Sequence, residues 1–273
     1  MKNRFPIPVK LAIVIVIIIS ASCQKVVNID LNSASPKVVI EGFVSDQPGP
    51  YIVKLTKTVN FSETNVFPPV TGAFVTISDN VGNVDTLKES LAGIYKTSTL
   101  QGMPGRTYTL VVNDEANSQT YTAVSTMPFP VNLDTIKNEH QGIFGNKQAL
   151  YAVFPDPAGI ANYYAIFTKV NSVSQNQFSS ADDHLRDGDT IKMRIPLDLN
   201  SNDQSPLNPG DTLKVMLESI DKNVREYLRL LRQLNNQGGF QSAPPANPVT
   251  NITGGALGYF SAYAVRSKSV IIP

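Results

Sequence analysis

One cysteine, no tryptophan and two histidines occur in 273 residues. A single cysteine excludes a disulfide scaffold and a cysteine-rich zinc site. Only His140 and His184 could serve as imidazole bases or ligands, and each lies in a polar, loop-like stretch where a solvated histidine is the plain reading. Charge is scarce as well. Charged residues make up 16%, with 23 Lys and Arg against 22 Asp and Glu, so no basic field points at nucleic acid. There is no Gly-x-Ser-x-Gly elbow and no phosphate loop ending in Gly-Lys-Ser/Thr. What remains is 42% hydrophobic, with 19 Pro and 17 Gly. That is too apolar for a disordered chain and too polar for a multi-span membrane protein, and it suits a β-rich fold with many turns.

The first residues read as a processed leader. Lys2, Arg4 and Lys10 precede an apolar run from Leu11 to Ile19. The run is far short of the ~20 residues that span a bilayer, but it fits a signal-peptide core. Ser20-Ala21-Ser22-Cys23 follows and resembles a bacterial lipoprotein signal, cleaved before Cys23, whose thiol then carries diacylglycerol. Ser20 stands where Leu is usual. Removing residues 1–22 takes three of the 23 basic residues and none of the 22 acidic ones, leaving a net charge of −2. Residues 23–37 read as a lipidated tether whose polar part reaches ~45 Å when extended.

From Val38 the pattern turns to strands. Val38–Val44 is a buried-type run, and Tyr51, Val53 and Leu55 alternate with Lys54 and Thr56. Ala73, Val75 and Ile77 repeat the alternation before the turn-rich Asp79–Asn83, with a partner strand through Val84 and Leu87. Gly93–Thr97 is a further short strand. Met103-Pro104-Gly105-Arg106 places Pro and Gly as a type II turn requires. Tyr108, Leu110 and Val112 face one way behind it, and Tyr121–Met127 closes the set. The spacing predicts an Ig-like or transthyretin-like β-sandwich over 38–128.

A β-rich second domain carrying one amphipathic helix is expected over 129–273. Leu150–Phe154, Tyr163–Thr168, Thr190–Leu197 and Thr212–Leu217 read as strands. Residues 171–190 read as a long loop or flap. Ile220, Val224, Tyr227, Leu228, Leu231 and Leu234 fall at helical spacing, which predicts a helix near 219–235. Gly239–Gly258 reads as loop, and the run from Tyr259 as a last strand pair.

Candidate sites are few. Tyr163, Tyr164, Tyr259 and Tyr263 could meet a ligand or partner, because tyrosine offers apolar area with a polar tip at low entropy cost; core packing is the plainer reading of a strand tyrosine. Asp182, Asp183, Asp187 and Asp189 offer hard oxygen ligands to calcium, against the plain reading of a solvated loop. Asp198–Asp203 imitates the start of an EF-hand loop but has Asp203 where that loop needs Gly. Asp-Thr-Leu or Asp-Thr-Ile at Asp85, Asp134, Asp189 and Asp211 matches a short O-glycosylation pattern, and equally the start of a strand.

The order of these pieces resembles a Bacteroidota lipoprotein family, the domain of unknown function 4249. The resemblance rests on Val39-Ile40-Glu41-Gly42, Pro48-Gly49-Pro50-Tyr51, Gly72-Ala73-Phe74-Val75-Thr76-Ile77 and Gly102-Met103-Pro104-Gly105-Arg106-Thr107-Tyr108. Asp156-Pro157, Asn162-Tyr163-Tyr164, Asn247-Pro248 and Gly254-Gly255-Ala256-Leu257-Gly258 continue it. It implies an outer-membrane lipoprotein, lipid-anchored through Cys23 in the periplasmic or cell-surface leaflet. Its implied role is accessory or substrate-capture partner of a TonB-dependent β-barrel transporter in nutrient uptake. It implies no catalytic residue and no cofactor beyond the covalent lipid, so a binding part is expected, not an enzyme. The alternative is a stand-alone Ig-like adhesin or structural lipoprotein.

Overall fold

The computed structural model describes residues 35–60, 64, 66–140, 148–197, 207–235 and 247–273. Cys23, the tether up to residue 34 and the EF-hand-like stretch lie outside the described residues. From Pro36 on, Asn60 apart, those described belong to one compact unit.

The chain runs through Val38–Ser45 (β1), Ile52–Lys57 (β2), Phe74–Asp79 (β3), Val84–Thr86 (β4), Lys88–Leu91 (β5), Ile94–Lys96 (β6), Thr107–Asp114 (β7) and Gln119–Thr126 (β8). Thr135–His140 (β9), Gln148–Pro155 (β10), Tyr163–Val170 (β11), Val173–Ser174 (β12), Ser179–Asp182 (β13), Thr190–Arg194 (β14) and Thr212–Ile220 (β15) follow. The helix Lys222–Asn235 (α1), Ile252–Thr253 (β16) and Leu257–Ile271 (β17) complete it. The fold is mainly β with a single α-helix among the described residues, as composition and periodicity predict.

One long sheet is the spine, in the order β12-β11-β15-β17-β1-β2-β6-β5, with β13 also paired to β11. Two smaller sheets pack on its inner face. The five-stranded sheet β16-β8-β7-β3-β4 covers the β1–β2–β6 end, and the shared core holds Ile40, Val53, Leu55, Ile77, Leu110 and Phe260. The three-stranded sheet β14-β10-β9 covers the β11–β15 end, enclosing Phe154, Tyr164, Ile166, Met193, Val215 and Leu217. On the outer face α1 forms a third layer, with Val224 and Leu228 buried against Ala165 and Ile220.

Local chemistry explains the connections. The N–H of Arg106 donates to the Met103 carbonyl at 3.3 Å and Gly105 has φ +83°, the type II turn expected from Pro104-Gly105. Asp85 accepts the backbone N–H groups of Ser98, Thr99 and Leu100 at 2.6–2.8 Å, fixing the chain after β6. Thr135, Thr190 and Thr212 each open a strand, so three of the four Asp-Thr motifs stand at strand starts.

Four boundaries differ from the sequence reading. Residues 171–190 include β12 and β13, both paired to β11, because main-chain ladders need no apolar side chains. The run after Tyr259 is one strand, β17, of 15 residues, not a pair. Ser219 and Ile220 finish β15, and α1 starts at Lys222. The division at 128/129 falls between β8 and β9, yet β17 runs parallel to β1 from Val39↔Leu257 to Ser45↔Tyr263, and Phe260 and Ala262 fill the N-terminal core.

Candidate functional site

The outer face of the long sheet beside α1 carries several aromatic side chains and two glutamates. Strand register puts Glu41 opposite Tyr259, Phe43 opposite Ser261 and Ser45 opposite Tyr263. On the other flank of β17, Val265 pairs with Glu218, which in turn pairs with Ala165. Alternation sends Ile40, Val44, Phe260 and Ala262 inward, so Glu41, Phe43, Tyr259, Ser261, Tyr263, Glu218 and Tyr163 share the outward face. Tyr227 comes down from α1 onto Tyr259, ring centroids 4.7 Å apart and planes 32° apart. Phe43 and Tyr263 meet at 6.3 Å.

Asp221 aims the helix. Its Oδ1 accepts the Val224 N–H at 2.9 Å, an N-cap, and its Oδ2 accepts the Ser125 hydroxyl. Ser125 in turn accepts the Ala262 N–H at 2.8 Å, so one chain of bonds joins α1, β8 and β17. Burial pushes the Asp221 carboxyl up against the pull of these donors. Arg225 pairs with Asp182 of β13 at 2.5 Å, and Arg229 with Glu226 at 2.5 Å.

The electrostatics of the face turn on Glu218. Among the described residues no hydrogen bond or ion pair reaches its carboxylate, and desolvation alone pushes it up to about 8. Burial, and then the charge of Glu218, push the phenols of Tyr259 and Tyr263 up. Burial and then Glu41 do the same to Tyr227. The Ser261 hydroxyl is buried without a partner. Glu41 pairs with Lys54 at 3.1 Å in the solvent-exposed rim. Rings, a carboxylate and a free hydroxyl can receive a cation or a hydrogen-bond donor.

A second group of acids lies elsewhere. Asp156, Asp183 and Asp187 bring one oxygen each to within 4.8 Å of one another, the first two buried and the third exposed. Asp156 accepts the Tyr164 hydroxyl and the Gly188 N–H at 3.1 Å. Asp183 accepts the Asn162 N–H at 2.7 Å, and Asp187 the Gly159 N–H at 2.7 Å. These three could offer oxygens to a hard cation, fewer than the six to eight calcium takes. Of the four aspartates singled out in the sequence, Asp183 and Asp187 are in this group. Asp182 is engaged by Arg225, and Asp189 is not among the three.

The structure brings Tyr163, Tyr259 and Tyr263 to the outward face and sends Tyr164 the other way. Tyr164 is fully buried between the sheets, edge-on to Phe154 at 4.8 Å. Sequence reasoning passed over Glu218, Ser261 and Phe43. Thr212-Leu213-Lys214-Val215-Met216-Leu217-Glu218 alternates as any half-exposed strand does, and only the layer of α1 distinguishes its outward positions. Tyr227 was visible as an apolar helix position, without its ring partner.

The sequence model of a family described as Domain of unknown function (DUF4249) matches residues 24–269. No curated protein matches the chain.

Proposed function

We propose that this chain, which belongs to the DUF4249 family, is a lipid-anchored outer-membrane protein that helps a TonB-dependent β-barrel transporter capture its substrate. The observation that carries the reading is the aromatic face beside α1, where Phe43 packs on Tyr263, Tyr227 packs on Tyr259, and the charge of Glu218 acts on Tyr259 and Tyr263. Rigid tyrosines with polar tips favour contact with a ligand at small entropic cost. The basic start, the short apolar core and Cys23 support the anchor. A diacylglycerol on Cys23 would supply two acyl chains, and one chain alone holds a protein only marginally. The transporter itself is carried over from the lipoproteins that this sequence resembles.

Affinity purification of the native full chain from detergent-solubilised membranes tests the partner. A β-barrel transporter is expected in the eluate; its absence would leave a stand-alone adhesin or structural lipoprotein. The anchor is tested separately. Cys23→Ala should move the protein from the membrane pellet to the soluble fraction, and an unchanged pellet defeats the lipid attachment.

A further inference from the structure

The sheets of this fold turn different chemistry toward solvent. The outward positions of β9, β10 and β14 include Lys137, Glu139, Lys192 and Arg194. Those of the long sheet include Glu41, Lys54, Lys88, Lys96, Lys169 and Lys214. Charges of this kind keep a sheet face solvated and are depleted from the centres of interfaces.

The outward face of the five-stranded sheet is built otherwise. Ile77, Leu110, Val112 and Ala123 fill the core, so alternation turns their strand neighbours away from it. Register sets Thr86, Thr76, Val111, Thr122 and Thr253 in one row across all five strands. The next row holds Val84, Ser78, Thr109 and Val124. Phe74, Asn113 and Thr120 flank the first row, and Thr107 and Thr126 the second. None of these outward side chains is charged. The acids of the same strands, Asp79, Asp85 and Asp114, are buried on the inner side. Large apolar groups are left open on this face, with Val84 65%, Phe74 49% and Val124 47% exposed.

The absence of charge selects the occupant. A strongly charged partner finds nothing to pair with, whereas a second copy of the chain finds its complement. In a two-fold interface each patch meets itself, so a charge near the axis would meet its like. Hydroxyls avoid that conflict because each both donates and accepts, and the methyl groups of Thr and Val pack against their own kind. Size sets the strength. Strands about 4.8 Å apart and two to eight residues long give a face of roughly 450 Å² in projection. A standard interface buries about 800 Å² per partner, so the pairing is reversible and not permanent.

We infer that two copies of this chain pack the outward faces of their five-stranded sheets together, about a two-fold axis near Thr109 and Val111 of the central strand β7. The stacked sheets would lie about 10 Å apart, as the layers of a β-sandwich do. This face is on the far side of the sandwich from α1, so the pairing leaves the aromatic face open and does not rest on the capture reading.

Sedimentation equilibrium of the full chain in a density-matched nonionic detergent, with micelles in excess over protein, tests the pairing. The dimer fraction should rise with protein concentration across about 1–500 µM, the range of small interfaces. It should not change when salt is raised severalfold, because no ion pair holds the copies together. Thr109→Lys brings like charges together at the axis and should weaken the dimer at least tenfold, and Thr109→Glu should do the same. Mixed in equal amounts, these two variants should dimerise again, as only a face that meets itself allows. Thr109→Val should keep the dimer, and so should Lys137→Glu on the charged face of the three-stranded sheet; thermal unfolding of each variant confirms that it folds. A monomer over the whole range, a dimer that salt dissociates, or undiminished association of Thr109→Lys would overturn the proposal. Loss of the dimer in Lys137→Glu would move the contact to another face and overturn it equally, and a mixture that stays monomeric would overturn the two-fold arrangement.

Discussion

A carboxyl held at about 8 in the folded chain and near its ordinary value in the unfolded one takes up a proton on folding between those limits. For Glu218 the native state then holds more protons than the unfolded state, so stability falls as pH rises through that window. The slope from this one group is at most about 1.4 kcal/mol per pH unit. Its titratable neighbours are the phenols of Tyr227, Tyr259 and Tyr263, all pushed up and therefore neutral there, and Glu41, paired with Lys54. Asp221, also raised, adds a term of the same sign. Asp46, Asp79 and Asp85 are lowered, so their contribution is complete above the ordinary carboxylate range and is lost only in acid. Urea midpoints should therefore decline from about pH 5 to about pH 8, and Glu218→Gln should flatten the decline; parallel curves for the two proteins would refute the assignment. Backbone geometry gives a second prediction at this scale. Gly258 has φ +94°, and a Cβ there would lie 2.0 Å from the Ile40 carbonyl oxygen, where β17 meets β1. Gly258→Ala should cost on the order of 3 kcal/mol in denaturant unfolding. Gly255→Ala, at φ +88° with open space, should cost only about 1 kcal/mol, from conformational strain.

Among the elements, α1 covers part of the outer face of the long sheet, with Val224 and Leu228 buried against Ala165 and Ile220. Its 3.6-residue spacing was legible, because Val224, Tyr227 and Leu228 fall on one side and Asp221, Arg225, Glu226 and Arg229 cap or flank it. Its beginning was not. Ser219 and Ile220 suit a strand end as well as a helix start, and the choice was made by pairing with Tyr163, Tyr164 and Ala264. Asp221 then caps the helix and holds Ser125. Asp221→Ala should cost about 1–2 kcal/mol and loosen α1, seen as faster amide exchange over residues 224–231. Asp221→Asn should recover most of that loss, since an amide oxygen still accepts at the N-cap. Full protection in Asp221→Ala would show that the cap is dispensable.

For the whole molecule, β17 is the shared member. It pairs with β15 on one side and β1 on the other, and sends Phe260, Ala262 and Ala264 into the core closed by β3, β7 and β8. An isolated fragment 38–128 lacks this strand, leaving β1 with an unpaired edge and the core short of a phenylalanine. It should show no cooperative unfolding and poor amide dispersion; adding a peptide spanning 247–273 should restore structure. A fragment that folds by itself would establish 38–128 as an independent domain.

The amino-acid sequence by itself determined the β class, the strands with clear apolar alternation, the Pro104-Gly105 turn and the amphipathic helix, because each is fixed by periodicity or local dihedral preference over a few residues. The tertiary structure alone decided the rest. Alternation says which residues of a strand point together, not which strand lies beside it. The parallel pairing of first and last strands, the outward turn of Tyr259 and Tyr263 against the inward turn of Tyr164, and the placing of Glu218 on the face of Tyr263 all follow from contacts between residues far apart in the chain. An ordinary glutamate in an alternating strand comes to act on Tyr259 and Tyr263 only once β15 has paired with β17.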